Sequence, residues 1–103
     1  MASILRFVQQ YPVADREAFM ALEAEFAEME RRRDDWPSGR RYQPVSGREP
    51  VHTLIWEHEF ATLAEAHEAL ARVASDPGHE ELFRRQAPYI TSSYAEIYET
   101  LDL

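Results

Sequence analysis

Along residues 3–11, SILRFVQQY, apolar and polar positions alternate. Leu5 and Phe7 fall on one side and Arg6, Val8 and Gln10 on the other, the period-two signature of a half-buried strand. "PVADREAF" interrupts it and places Asp15 as a helix N-cap, with Glu17 in the first turn. Phe19, Leu22, Phe26 and Met29 then recur every three or four residues, with Glu23, Glu25, Glu28 and Glu30 mostly off that stripe. The spacing predicts a helix over 16–33, ending in Arg31–Arg33, where cations meet the negative end of the helix dipole. "DDWPSG" breaks it. A short strand over 40–45 and the loose turn "PVSGREP" lead to a second clear strand over 51–60. There Val51, Thr53 and Ile55 alternate against His52, Leu54, Trp56, His58 and Phe60.

At Thr62 the rhythm changes from steps of two to steps of three or four. Thr62-Leu63-Ala64-Glu65 has capping-box spacing, and the helix it opens should bury Leu63, Ala66, Leu70 and Val73. "SDPGHEELF" predicts a shorter helix capped by Asp76, with Pro77 at its first position. Over 92–101, Tyr94, Glu96 and Tyr98 alternate with Ala95, Ile97, Glu99 and Leu101. The order is β-α-β-β-α-β with an extra helical turn. Under the right-handed crossover rule it gives an α+β, ferredoxin-like fold: a four-stranded antiparallel sheet with its helices on one face. The 103 residues make one domain, 1–103.

Two helices cover one face of a sheet. Leu5, Phe7, Ala95 and Ile97 are expected beneath them, which leaves Arg6, Val8, Gln10, Tyr94, Glu96 and Tyr98 on the other face. That set is too aromatic for water alone and too polar for a closed core. It predicts a homodimer through the sheet faces with a small-ligand cavity between them. Trp56 and His58 are assigned to the same cavity, since Thr53 and Ile55 can pack under helices.

Composition narrows the chemistry. There is no cysteine, which removes thiolate metal sites, disulfides and a Cys nucleophile. A net charge of −8 argues against nucleic-acid binding. No apolar run reaches the roughly 18 residues of a membrane span, and no signal-like N-terminus is present, so a cytoplasmic protein is expected. His67 and His79 stand beside glutamates, as surface histidines do. His52 and His58 are about 20 Å apart along one strand at roughly 3.3 Å per residue, too far to share a metal, and no metal site is expected. His58 beside Trp56 is either a buried structural histidine or a neutral base that moves a proton. Trp56, Tyr94 and Tyr98 would wall a planar ligand or pack across an interface, and Arg6 and Glu96 would pair with each other or orient a substrate. Arg40, Arg41 and Arg48 would either bind an anion at the cavity mouth or stand in solvent.

"LIWEHEFATLAEAHEAL" and "SDPGHEELFRRQAPYI" stand where the dimeric α/β-barrel superfamily has its third strand, second helix and "DP-x-H/W-x-x-F" turn. The chain resembles that superfamily over nearly its whole length, above all its NIPSNAP-like and antibiotic-biosynthesis-monooxygenase-like groups. Leu5-Arg6 is similar to the "L-R-x-Y" start of NIPSNAP domains, with Val8 in place of their tyrosine. The resemblance implies two sheets paired into a barrel and a small organic ligand in each subunit. The superfamily includes cofactor-free oxygenases, haem-degrading enzymes, isomerases and members of no known activity. The expected function is a monooxygenase-like enzyme without metal or flavin, acting on an aromatic or polyketide-like compound. His58 would handle a proton, Arg6 would orient an oxygen, and Trp56, Tyr94, Tyr98, Gln10 and Glu96 would hold the substrate. The alternative is a non-catalytic ligand-binding or protein-interaction domain. Haem degradation, with His58 or His67 as ligand, is a third reading.

Overall fold

A computed structural model describes all residues, 1–103. Its strands are β1 (Ser3–Gln10), β2 (Arg40–Tyr42), β3 (Thr53–Phe60) and β4 (Ser92–Glu99); its helices are α1 (Arg16–Arg32), α2 (Leu63–Ser75) and α3 (Pro77–Gln86). The strands form one antiparallel sheet in the order β2-β3-β1-β4, the ferredoxin-like arrangement the alternation predicts. Along its shortest axis the molecule spans only 19 Å, one sheet and one helix layer.

Differences from the expected elements fall at their ends. β2 stops at Tyr42, and residues 43–52 form the connection to β3. Asp15 gives no side-chain cap; it closes a short 3₁₀ turn, Val13–Asp15, that runs directly into α1. Of the α2 residues expected inside, Ala66 is buried, Leu70 and Val73 are half-buried and Leu63 is exposed; Ala69 is buried as well. The remaining caps follow the sequence. The Thr62 Oγ1 accepts from the Glu65 N–H at 3.2 Å, while the Glu65 carboxylate reaches back to the Ala61 N–H at 3.1 Å. Thr62→Ala is therefore expected to destabilise the fold by about 1 kcal/mol, read as a lowered denaturation midpoint at unchanged slope. At α3 the Asp76 Oδ1 accepts from the His79 N–H at 3.0 Å, and Pro77 occupies the first helical position.

Register assigns the two faces. Phe7 stands opposite Trp56 and Ala95, and Leu5 opposite His58 and Ile97; these residues share the helix side. Arg6 stands opposite Glu57 and Glu96, and Val8 opposite Ile55 and Tyr94, on the open side. Residues 43–52 turn back over one end of the open side, where Glu49 accepts from Gln10 at 2.9 Å and from the Tyr94 hydroxyl. This covering accounts for the burial of Val8, Thr53 and Ile55 on a face without helices.

Candidate functional site: a cavity between sheet and helices

A cavity of about 270 Å³ lies between the helix side of the sheet and all three helices. Its position follows from the stripes that build the core. Phe26 and Met29 come from α1, Leu70 and Val73 from α2, and Phe83 from α3; Phe7 and Trp56 form the sheet wall. Trp36, in the connection after α1, closes one side with Pro37. Both tryptophans of the chain thus line the same space.

The polar lining comes from residues that share these helix faces. Glu23 and Glu30 are seven apart on α1, two turns along the face that also carries Phe26. Both are buried. Arg41, which stands opposite Trp56 in the β2–β3 pair, reaches between them. Its Nε donates to Glu23 at 2.7 Å, and its two terminal nitrogens donate to Glu30 at 3.2 and 2.6 Å. Burial opposes the guanidinium charge, but the hydrogen bonds and charges of Glu30 and Glu23 outweigh it and hold the Arg41 pKa above its ordinary value. Glu30 also accepts from the Gly39 N–H at 2.9 Å and the Trp56 Nε1–H at 3.3 Å. Gln86 completes the set, donating to Glu23 at 2.9 Å.

His79 stands apart from this network. Its ring lies among Phe26, Trp36 and Phe83 at centroid distances of 5.1, 5.7 and 6.3 Å, and no protein group hydrogen-bonds its nitrogens. Burial lowers its pKa, against the smaller opposing pull of Asp76, Glu30 and Glu23, so the imidazole is neutral at neutral pH. A neutral, unpartnered imidazole in an aromatic pocket can take a proton from a bound compound.

No family profile and no curated protein matches the sequence. Solved structures do match the architecture. A NIPSNAP family protein from Agrobacterium tumefaciens aligns with a TM-score of 0.80 at 16% identity, covering 99% of this chain and 95% of that one. A NIPSNAP domain protein from Burkholderia xenovorans gives 0.77 at 14%, covering 98% and 95%. The fold is that of the NIPSNAP proteins. A candidate antibiotic biosynthesis monooxygenase from Deinococcus radiodurans shares it, with a TM-score of 0.70 at 14% identity over 98% of this chain and 94% of its own.

Within this NIPSNAP fold the expected site residues divide between the two sides of the sheet. Trp56 lines the cavity. His58 shares its face but lies beyond the lining, where its Nδ1–H donates to the Ser38 carbonyl at 2.7 Å and steadies the loop behind Gly39. Arg6, Gln10, Tyr94, Glu96 and Tyr98 are on the open side, separated from Trp56 and His58 by the sheet itself. The grouping of His58 with Arg6 and the two tyrosines is thereby corrected: both alternating sets of β3 are apolar enough to be buried, and pairing with Phe7 turns Trp56 towards the helices. On the open side Arg6 lies 3.4 Å from Glu57 and 3.9 Å from Glu96, with the Tyr98 ring 5.9 Å away. The hydrogen bond to Glu49 pushes the Tyr94 pKa up to about 12.

Several polar members of the cavity were not expected there, among them Glu23, Glu30, His79 and Gln86. The spacing His79, Phe83, Gln86 is a helix face in its own right, and the Asp76-Pro77 start fixes its phase. That signal was masked by the acidic neighbours Glu80 and Glu81. Arg41, expected either to bind an anion at a cavity mouth or to stand in solvent, is instead paired and turned inward. The haem reading does not fit. His67 is exposed, His58 lies outside the lining, and about 270 Å³ is at the small end for ligand pockets, far short of a porphyrin. No three His, Asp or Glu side chains come together as a metal site.

Proposed function

We propose that the protein is a small-molecule enzyme of the cofactor-free, monooxygenase-like kind, acting on a small planar aromatic compound held in the sheet–helix cavity. The observation that carries this reading is the neutral, unpartnered His79 imidazole inside a pocket walled by Trp36, Trp56 and Phe83. Indole and phenyl faces favour a planar ring. His79 would accept the proton of an acidic phenol or enol, and the electron-rich anion would then react with dioxygen. For a phenol the balance closes without a further reductant: one oxygen atom enters the ring to give a quinone, and the other leaves as water with the hydrogens removed. His79→Gln is expected to lower turnover by about 100-fold or more, the scale of general-base catalysis, with ligand affinity changed little. Dioxygen uptake with a panel of naphthols measures it. Unchanged uptake in the variant would sink the assignment of His79. Binding without turnover of any ligand found would favour the non-catalytic reading, which is supported by the lack of any carboxylate orienting the imidazole.

The same reading includes a cytoplasmic homodimer formed through the open sheet face. Tyr94 and Tyr98 are 39% and 45% exposed there, on the edge strand β4 and on the side of the sheet that carries no helix. Arg6 is already paired within the chain, between Glu57 and Glu96, so covering this face would leave no arginine charge uncompensated. Tyr98→Arg is expected to raise the dimer dissociation constant at least about tenfold. Sedimentation equilibrium decides, and a monomer at micromolar concentration in the unmodified protein would reject the interface. No helix is long and apolar enough to cross a membrane.

A further inference from the structure

We infer that the cavity selects uncharged aromatic compounds carrying a hydroxyl or N–H donor and rejects aromatic carboxylates, with Gln86 as the residue that sets the preference. The inference rests on the ligand-pocket reading above and names the class of compound that pocket takes.

Gln86 is the last residue of α3, only 1% exposed, and it lines the cavity. Its Nε2 donates to the Glu23 carboxylate at 2.9 Å and reaches the Phe19 carbonyl at 3.5 Å. Both partners accept only, so the orientation of the amide is forced: the nitrogen faces α1 and the oxygen cannot. No protein donor reaches that oxygen. An amide oxygen that no protein group satisfies takes its donor from solvent or from a ligand that brings one. An ether or a carboxylate brings none.

Charge points the same way. The ionisable groups lining the cavity are Glu23, Glu30, Arg41 and His79. All three guanidinium nitrogens of Arg41 already donate to the two carboxylates, which leaves one negative charge uncompensated. An anionic ligand would lose its hydration beside a surplus carboxylate, with no free cation to receive it. Spacing adds a length. His79 and Gln86 lie seven residues apart on one face of α3, about 10 Å along the axis at roughly 1.5 Å per residue. A fused-ring compound spans that distance, with its acidic hydroxyl at one end and a donor at the other.

Calorimetric titration of the unmodified protein with 2,6-dihydroxynaphthalene, 6-methoxy-2-naphthol and 6-hydroxy-2-naphthoate at neutral pH tests this without depending on any variant. The diol is expected to bind at least about tenfold more tightly than its monomethyl ether, with the naphthoate weaker still. In Gln86→Leu the affinity for the diol should fall to that for the ether. Equal binding of diol and ether, or naphthoate binding as well as the diol, would overturn the selectivity while leaving the pocket standing. Failure of all three to bind would overturn the pocket reading and the inference with it.

Discussion

Replacing Glu30 with alanine is expected to destabilise the fold by about 3–5 kcal/mol, the range for removing one partner of a buried ion pair. Glu30 accepts from four donors, namely the Gly39 N–H, both terminal nitrogens of Arg41 and the Trp56 indole N–H. Its removal leaves Arg41 with Glu23 alone and two further donors without an acceptor inside the protein. Against a typical total of roughly 5–15 kcal/mol, such a loss brings the protein close to unfolding at room temperature. Glu30→Gln keeps an oxygen for Trp56 or Gly39 but not the charge, and should fall between the two. Urea denaturation followed by circular dichroism supplies the measurement. A loss below about 1 kcal/mol in the alanine variant would mean that Arg41 finds water as easily as Glu30, as exposed pairs do.

The second large effect is expected from the smallest change. A Cβ on Gly39 would stand 1.7 Å from the Trp56 Nε1 and 2.0 Å from its Cε2, far inside contact distance. The obstacle is a buried indole, hydrogen-bonded at the atom that would be struck. Gly39→Ala must therefore displace Trp56, break its bond to Glu30 and push the ring into the cavity. A cost of about 1–3 kcal/mol is expected for such overpacking, together with loss of ligand binding and a shifted tryptophan emission. Trp56→Phe makes room. In the double variant the alanine should cost much less than it does alone, a coupling that a double-mutant cycle reads directly. Additive losses would show that Gly39 serves the loop backbone and not the indole.

The order of strands and helices was legible because each segment has a single clear period. The division of β1 and β4 was legible too, since Leu5, Phe7, Ala95 and Ile97 contrast with Arg6, Gln10, Glu96 and the tyrosines. β3 offers no such contrast. Thr53, Leu54, Ile55 and Trp56 are all buried, the odd pair beneath residues 43–52 and the even pair beneath the helices. Only register distinguishes the two, and register depends on partners distant in sequence. The cavity's polar lining was hidden for a different reason. A glutamate on a helix is read as solvated, and Glu23 and Glu30 are kept inside by an arginine eleven or more residues away. Long-range pairing of this kind leaves no periodic trace.

The attachment of β2 has a kinetic meaning. This strand is three residues long and pairs along one edge only, so few backbone hydrogen bonds oppose its detachment. Arg41, which fastens it to α1, is also part of the cavity wall. Local unfolding at an edge costs less than opening a central strand such as β1, which is paired on both sides. Peeling β2 away would withdraw Arg41 and uncover Trp56 in one movement, giving a molecule a lateral way in without any hinge between domains. The electrostatic cluster would then act as a latch as well as a floor: for a compound held as proposed, a tighter cluster would slow its passage in both directions.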